Sequence, residues 1–189
     1  MQKIMFNSKW GLEQAVLEGR KTMTRRSVSD KILNKYQDYL NWWNTQKGGC
    51  FKPPEDEFYR CESPYKVNEV IAIAQAYKDV PPYKGHPEYS NHRDLSAGWD
   101  NKMFVKADLM KYYIKITGIK VERLQDISDE DCLREGIRRC NLNKKFAFDD
   151  KRDYSTAREA FAALIDKVSG KGTWDSNPWV FAYEFKLIK

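Results

Sequence analysis

Residues 179–187 restrict the fold of the chain most. Trp179, Phe181, Tyr183, Phe185 and Leu187 alternate with Val180, Ala182, Glu184 and Lys186, the period of a β-strand with one face buried. Three other segments read as strands. Residues 67–77 contain Val70-Ile71-Ala72-Ile73-Ala74, apolar on both faces, which predicts a strand covered on both sides and set in the middle of the sheet. Residues 112–124 carry Ile114, Ile116, Ile119 and Val121 with a bulge or bend expected at Gly118. Ile4-Met5-Phe6 predicts a short first strand.

Helical spacing appears between these strands. Residues 10–17 place Leu12, Val16 and Leu17 on one face, and Gly19 suits the left-handed residue that ends such a helix. Residues 30–44 set Ile32, Leu33, Tyr36, Tyr39, Leu40 and Trp43 three and four apart. There Trp42 and Trp43, being adjacent, cannot share one face. Ser128 is placed to cap a helix whose first turn, Asp129-Glu130-Asp131, complements the dipole and which Gly136 closes. Residues 156–168 carry one apolar stripe of Ala157, Ala160, Phe161, Leu164, Ile165 and Val168, with Ser155 as the expected cap. Residues 48–64 read as coil, and residues 170–174 as a turn into the final strand. Helices and strands do not alternate regularly, which disfavours a doubly wound parallel sheet. The order predicts an α+β domain with a small mixed or antiparallel sheet.

At 189 residues the chain suits one domain, residues 1–189, with insertions expected at 27–64, 78–102 and 138–153. Lys plus Arg outnumber Asp plus Glu by 33 to 27, a formal charge of +6, compatible with a nucleotide or nucleic-acid partner. The four cysteines, Cys50, Cys61, Cys132 and Cys140, are too far apart for paired metal ligands, and His86 and His92 are the only histidines. Reduced thiols and no metal or other cofactor are expected. The first residues lack the apolar run of a signal peptide and no segment is long enough to span a bilayer. These features predict a cytoplasmic protein without a membrane partner, and leave its oligomeric state open.

The chemistry-bearing stretch is Gly19-Arg20-Lys21-Thr22-Met23-Thr24-Arg25-Arg26, expected as a basic loop after the first helix. A lysine beside a threonine can hold an anion. If its pKa is depressed, it can instead deprotonate the hydroxyl and make it a nucleophile. Arg20, Arg25 and Arg26 favour both roles, since their charge disfavours protonated Lys21 and also attracts a polyanion. Met23 alternates away from Lys21 and Thr24 and is expected in the core.

This stretch, with the strand and helix before it, resembles the opening of the ASCH domain, a member of the PUA-like superfamily. Asn68-Glu69-Val70-Ile71-Ala72-Ile73, residues 114–124 and Phe181-Ala182-Tyr183-Glu184-Phe185 are similar to later strands of that family. The resemblance implies a small mixed β-barrel with flanking helices that binds RNA or modified nucleosides. One branch of the family comprises N(4)-acetylcytidine amidohydrolases, which use a Lys, a Thr and a Glu without a metal. Lys21 and Thr24 match the first two, and the third falls at Glu135. The implied roles are Thr24 as nucleophile, Lys21 as its base or the oxyanion's cationic partner, and Glu135 to orient Lys21 or manage the leaving-group proton. Arg20, Thr22, Arg25, Arg26 and Glu69 are the candidate substrate or RNA contacts.

Two other readings stay open. A non-catalytic PUA-like module could hold single-stranded RNA through Arg20, Arg25 and Arg26 and by stacking on Tyr83, Tyr89 or Trp99. An RNA nuclease on the same fold would need an acid and base pair near the basic stretch, for which His86 and His92 offer little.

Overall fold

The computed structural model describes residues 1–45, 52–80, 100–140, 144–149 and 152–188. In chain order its elements are β1 (Lys3–Ile4), α1 (Leu12–Leu17), β2 (Met23–Ser27), α2 (Asp30–Thr45), α3 (Glu55–Cys61), β3 (Val70–Ile73), β4 (Tyr113–Arg123), α4 (Asp129–Arg134), β5 (Arg138–Arg139), β6 (Phe146–Ala147), α5 (Ala157–Ser169), α6 (Thr173–Ser176) and β7 (Trp179–Ile188). Five strands form one mixed sheet in the order β1-β3-β4-β7-β2, with β1 parallel to β3 and the other pairs antiparallel. β5 and β6 make a separate ribbon. The expected α+β class with a mixed sheet is what the chain adopts.

The β4–β7 ladder is the spine, running from Tyr113 opposite Ile188 to Arg123 opposite Trp179. Its register shifts between Ile116 and Gly118, the expected irregularity. β7 buries Phe181, Tyr183 and Phe185 as its alternation predicts, but Val180 and Ala182 are buried as well. On the second face Val180 shares a cavity lining with α5, and Arg25, tied to α4, stands opposite Ala182 in the ladder. β3 is buried on both faces at Ile71, Ala72 and Ile73, and sits between β1 and β4.

The sheet does not close into the expected barrel. β1 and β2 are its two edges, and among the described residues no backbone ladder joins them. β1 ends at Ile4, short of the expected Phe6, and the Arg26 guanidinium donates instead to the Met5 carbonyl across the gap. The basic stretch is likewise not a loop. From Met23 it is edge strand β2, paired with β7 by residues Met23 to Ser27.

The described residues of the expected insertion at 27–64 pack on the sheet. Tyr36 of α2 packs on Tyr59 of α3, ring centroids 5.4 Å apart, and Tyr59 on Trp179 of β7 at 5.8 Å. The expected coil at 48–64 contains α3. Its first turn, Glu55, Asp56 and Glu57, complements the helix dipole, and Pro54 stands at its N-cap, where a missing N–H costs nothing. Trp42 is exposed, in keeping with two adjacent tryptophans that do not share one face. The expected turn at 170–174 includes α6, and the one-turn helix is held by Asp166, whose carboxylate accepts from the Gly172 and Trp174 amides.

Ser128 caps α4 as expected, accepting from the Asp131 amide. At α5 the cap is Thr156, whose hydroxyl accepts from the Glu159 amide, while Ser155 only donates its amide to the Glu159 carboxylate. Cys50, His86, His92, Tyr83, Tyr89 and Trp99 lie outside the described residues. Among the described residues no helix is long and apolar enough to cross a membrane. Thr156→Ala is expected to lower unfolding stability by about 1 kcal/mol, and Ser155→Ala by a few tenths, as read by urea denaturation. Equal losses would show that the cap does not sit at Thr156.

Candidate functional site

The turn after α1 is fixed before any side chain is considered. Gly19 has φ 74°, the expected left-handed ending, and the Lys21 amide donates to the Ala15 carbonyl at 2.9 Å. The Thr22 amide donates to the Arg134 carbonyl at 2.9 Å, joining this turn to the end of α4. α4 itself closes with bonds from the Gly136 amide to the Leu133 carbonyl and from the Ile137 amide to the Cys132 carbonyl, which needs the positive φ of Gly136. Two helix ends are thereby clamped side by side. Lys21 leaves one of them and Glu135 the other.

Their side chains meet in the interior. Lys21 Nζ donates to Glu135 Oε2 at 2.5 Å and to the Glu135 carbonyl at 2.8 Å, with both side chains 5% exposed or less. An ammonium has three N–H donors, so one remains for another acceptor. The Phe6 ring lies 5.9 Å from the Lys21 ammonium. Lys21 is held below its ordinary pKa, chiefly because burial disfavours the cation, with Arg26 and Arg25 acting in the same direction and Glu135 opposing.

A cavity of about 270 Å³ opens on this pair, near the small end of ligand pockets, ~300–1,000 Å³. Its polar wall is Lys21, Thr24, Arg25, Arg26 and Glu135; its apolar wall is chiefly Phe161, Leu164, Ile165 and Val168 of α5, with Phe6 and Val180 between. The helical stripe read as core at Phe161, Leu164, Ile165 and Val168 therefore also serves as a cavity lining. Thr24 is buried, and among the described residues no hydrogen bond occupies its hydroxyl. Met23 is core, as expected.

Behind the wall lies a charge cluster. Arg25 donates Nε and Nη2 to Glu122 Oε1 at 2.9 and 2.6 Å, Nη2 to Asp131 Oδ2 at 3.0 Å, and Nη1 to Glu135 Oε1 at 3.1 Å. Its side chain is 1% exposed. Glu135 joins two cations, Lys21 and Arg25, and of the expected contacts Arg25 faces carboxylates of its own chain rather than a ligand.

The other expected contacts divide. Arg26 lines the cavity, half-buried beside Phe6. Arg20 is exposed, paired with Glu18 at 2.6 Å, and does not line it. Thr22 lies outside it as well, its hydroxyl accepting from Arg134 at 3.4 Å. Glu69 is also remote from it; its carboxylate accepts from the Lys66 amide at 2.8 Å and shapes the turn before β3. Glu122 and Asp131 were not legible as site residues. Glu122 stands in a strand whose pattern is set by its isoleucines, and Asp131 in an acidic helix start that the dipole alone explains.

Among the described residues no group of three or more His, Cys, Asp or Glu is placed to hold a metal ion. The chain matches no protein family, no curated protein and no solved structure.

Two predictions follow from the electrostatics. Arg25→Met leaves three carboxylates without their common partner and is expected to cost about 3–5 kcal/mol of stability, measured by denaturant unfolding. Lys21 has a lowered pKa, so between its folded value and 10.5 the unfolded chain holds a proton that the folded chain does not. The stability of wild type relative to Lys21→Met should therefore rise with pH toward 10.5. A difference independent of pH would show that burial leaves Lys21 unperturbed.

Proposed function

We propose that the chain is a hydrolase that removes the acyl group from the exocyclic amine of an N(4)-acetylcytidine-like nucleoside, on an ASCH-type, PUA-like fold. The observation that carries this reading is the buried Lys21–Glu135 pair, 2.5 Å long, facing a cavity that is also lined by Thr24, whose hydroxyl has no hydrogen bond among the described residues. The near approach of the two sheet edges through Arg26 and the Met5 carbonyl supports a PUA-like curl.

The chemistry balances with these groups and water. Neutral Lys21 takes the Thr24 proton as the threonine oxygen attacks the acyl carbon. The tetrahedral intermediate collapses, its carbon–nitrogen bond breaks, and the departing amine receives that proton from Lys21. Water then cleaves the threonine ester, releasing acetate and restoring Thr24. Burial favours the neutral amine this scheme requires. Glu135 fixes the amine's direction through two acceptors, and Arg26, at the cavity's side, is the cation available to the oxyanion or the substrate's carbonyl.

The binding-module reading loses its support in the same residues. Arg25 lines the cavity but is held by three carboxylates of its own chain, Arg20 is paired with Glu18 away from the cavity, and Arg26 is left at its side.

Incubation of wild type and of Lys21→Ala, Thr24→Ala and Glu135→Ala with N(4)-acetylcytidine, with cytidine release followed by chromatography, tests the reading. Wild type should release cytidine, each variant should lose at least about a hundredfold in kcat/KM, and the losses should not multiply in combination. No release by wild type, or activity retained in any two variants, would overturn it.

A further inference from the structure

We propose that Arg25 is a positioning residue of this site: it grips Glu135 by Oε1 so that Oε2 stays committed to Lys21, and Glu122 and Asp131 hold the guanidinium in turn. The inference rests on the deacylase reading for its catalytic consequence, and on geometry for the rest.

Four hydrogen bonds join one buried guanidinium to three carboxylates, at 2.6 to 3.1 Å. Stability alone does not call for this, since well-packed apolar residues of similar volume commonly do as well as a buried ion cluster. What the cluster does provide is direction. A carboxylate bound at one oxygen only can rotate about its terminal torsion, which is broad. Glu135 is bound at both, by Arg25 on Oε1 and Lys21 on Oε2. Its backbone carbonyl is fixed on the same ammonium, so Lys21 is chelated by one residue whose own freedom Arg25 removes. A lysine cannot substitute for that fork, because an ammonium lacks the planar set of donors.

The charges facing Lys21 can be named element by element. α4 presents Glu135, and β2 presents Arg25 and Arg26; the cavity-lining residues of α5, Phe161, Leu164, Ile165, Val168 and Ser169, carry no charge, and nor does Leu12 of α1. Behind Arg25 stand Glu122 of β4 and Asp131 of α4. Glu122 Oε2 has Lys120 at 2.5 Å, angled as an ion pair rather than a hydrogen bond, and Asp131 has Arg134 at 3.4 Å. Through Arg25, Glu122 reaches the lysine without touching it.

Two variants separate positioning from mere structure. Glu122→Gln keeps an oxygen for Arg25 but removes a negative charge, so Lys21 should lose its proton about half a pH unit lower. This is read by NMR titration of the Lys21 side chain in protein labelled with ¹³C-lysine, assigned with Lys21→Met. The acid limb of kcat/KM on N(4)-acetylcytidine should move by the same amount. Arg25→Lys keeps the charge and loses the fork, so kcat should fall at least about tenfold with KM unchanged. An unmoved Lys21 titration in folded Glu122→Gln, or full kcat in Arg25→Lys, overturns the inference. If wild type shows no deacylation, the deacylase reading fails by itself, and the titration still decides whether the Glu122–Arg25 relay acts on Lys21.

Discussion

A single guanidinium, that of Arg25, ties together three parts of the chain that are far apart in sequence. It stands on edge strand β2, binds Glu122 on central strand β4, and binds Asp131 and Glu135 at the start and end of α4. Edge strands are weakly specified by backbone pairing on one side only, and this cluster supplies the missing specification for β2. It also fixes the distance between α4 and the sheet. The Lys21–Glu135 pair inherits that geometry, since Lys21 lies four residues before Arg25 and Glu135 is bound by both.

The sheet was largely legible because alternation and apolar runs report burial directly. Ile71 and Ile73, Ile114 and Ile116, and Phe181 and Tyr183 are all in the core, and Gly118 marks the register shift. The edges were less legible. In β2, Met23, Thr24 and Arg25 are buried in succession, so no alternation announces a strand, and four cations within eight residues look solvated. Charge pairing across about a hundred residues, as between Arg25 and Glu122, leaves no local pattern. Lys21, Thr24 and Glu135 were singled out by resemblance, and the structure pairs Lys21 with Glu135 beside a cavity that Thr24 also lines; spacing alone would not have joined residues 114 positions apart. Arg20, Thr22 and Glu69 shared the same stretches of sequence yet face other partners, because neighbours along a turn or strand point in different directions.

The net positive charge of the chain is a poor guide to the site. Of the four cations at residues 20–26, Lys21 and Arg25 are neutralised by Glu135, Glu122 and Asp131, and Arg20 by Glu18. What remains toward the cavity is Arg26 and one donor of Lys21, opposite an apolar helix face. A polyanion would gain little there. A neutral substrate would lose little on entering, and once water is excluded by the α5 side chains, each remaining dipole acts in a medium of low polarizability. Charge developing on an acyl oxygen would then meet fixed donors that cost no reorganisation, the condition under which electrostatic stabilisation of a transition state is largest. The same burial lowers the lysine's affinity for its proton: weakening the packing of Phe161 or Leu164 would admit solvent and move the Lys21 pKa back toward its ordinary value.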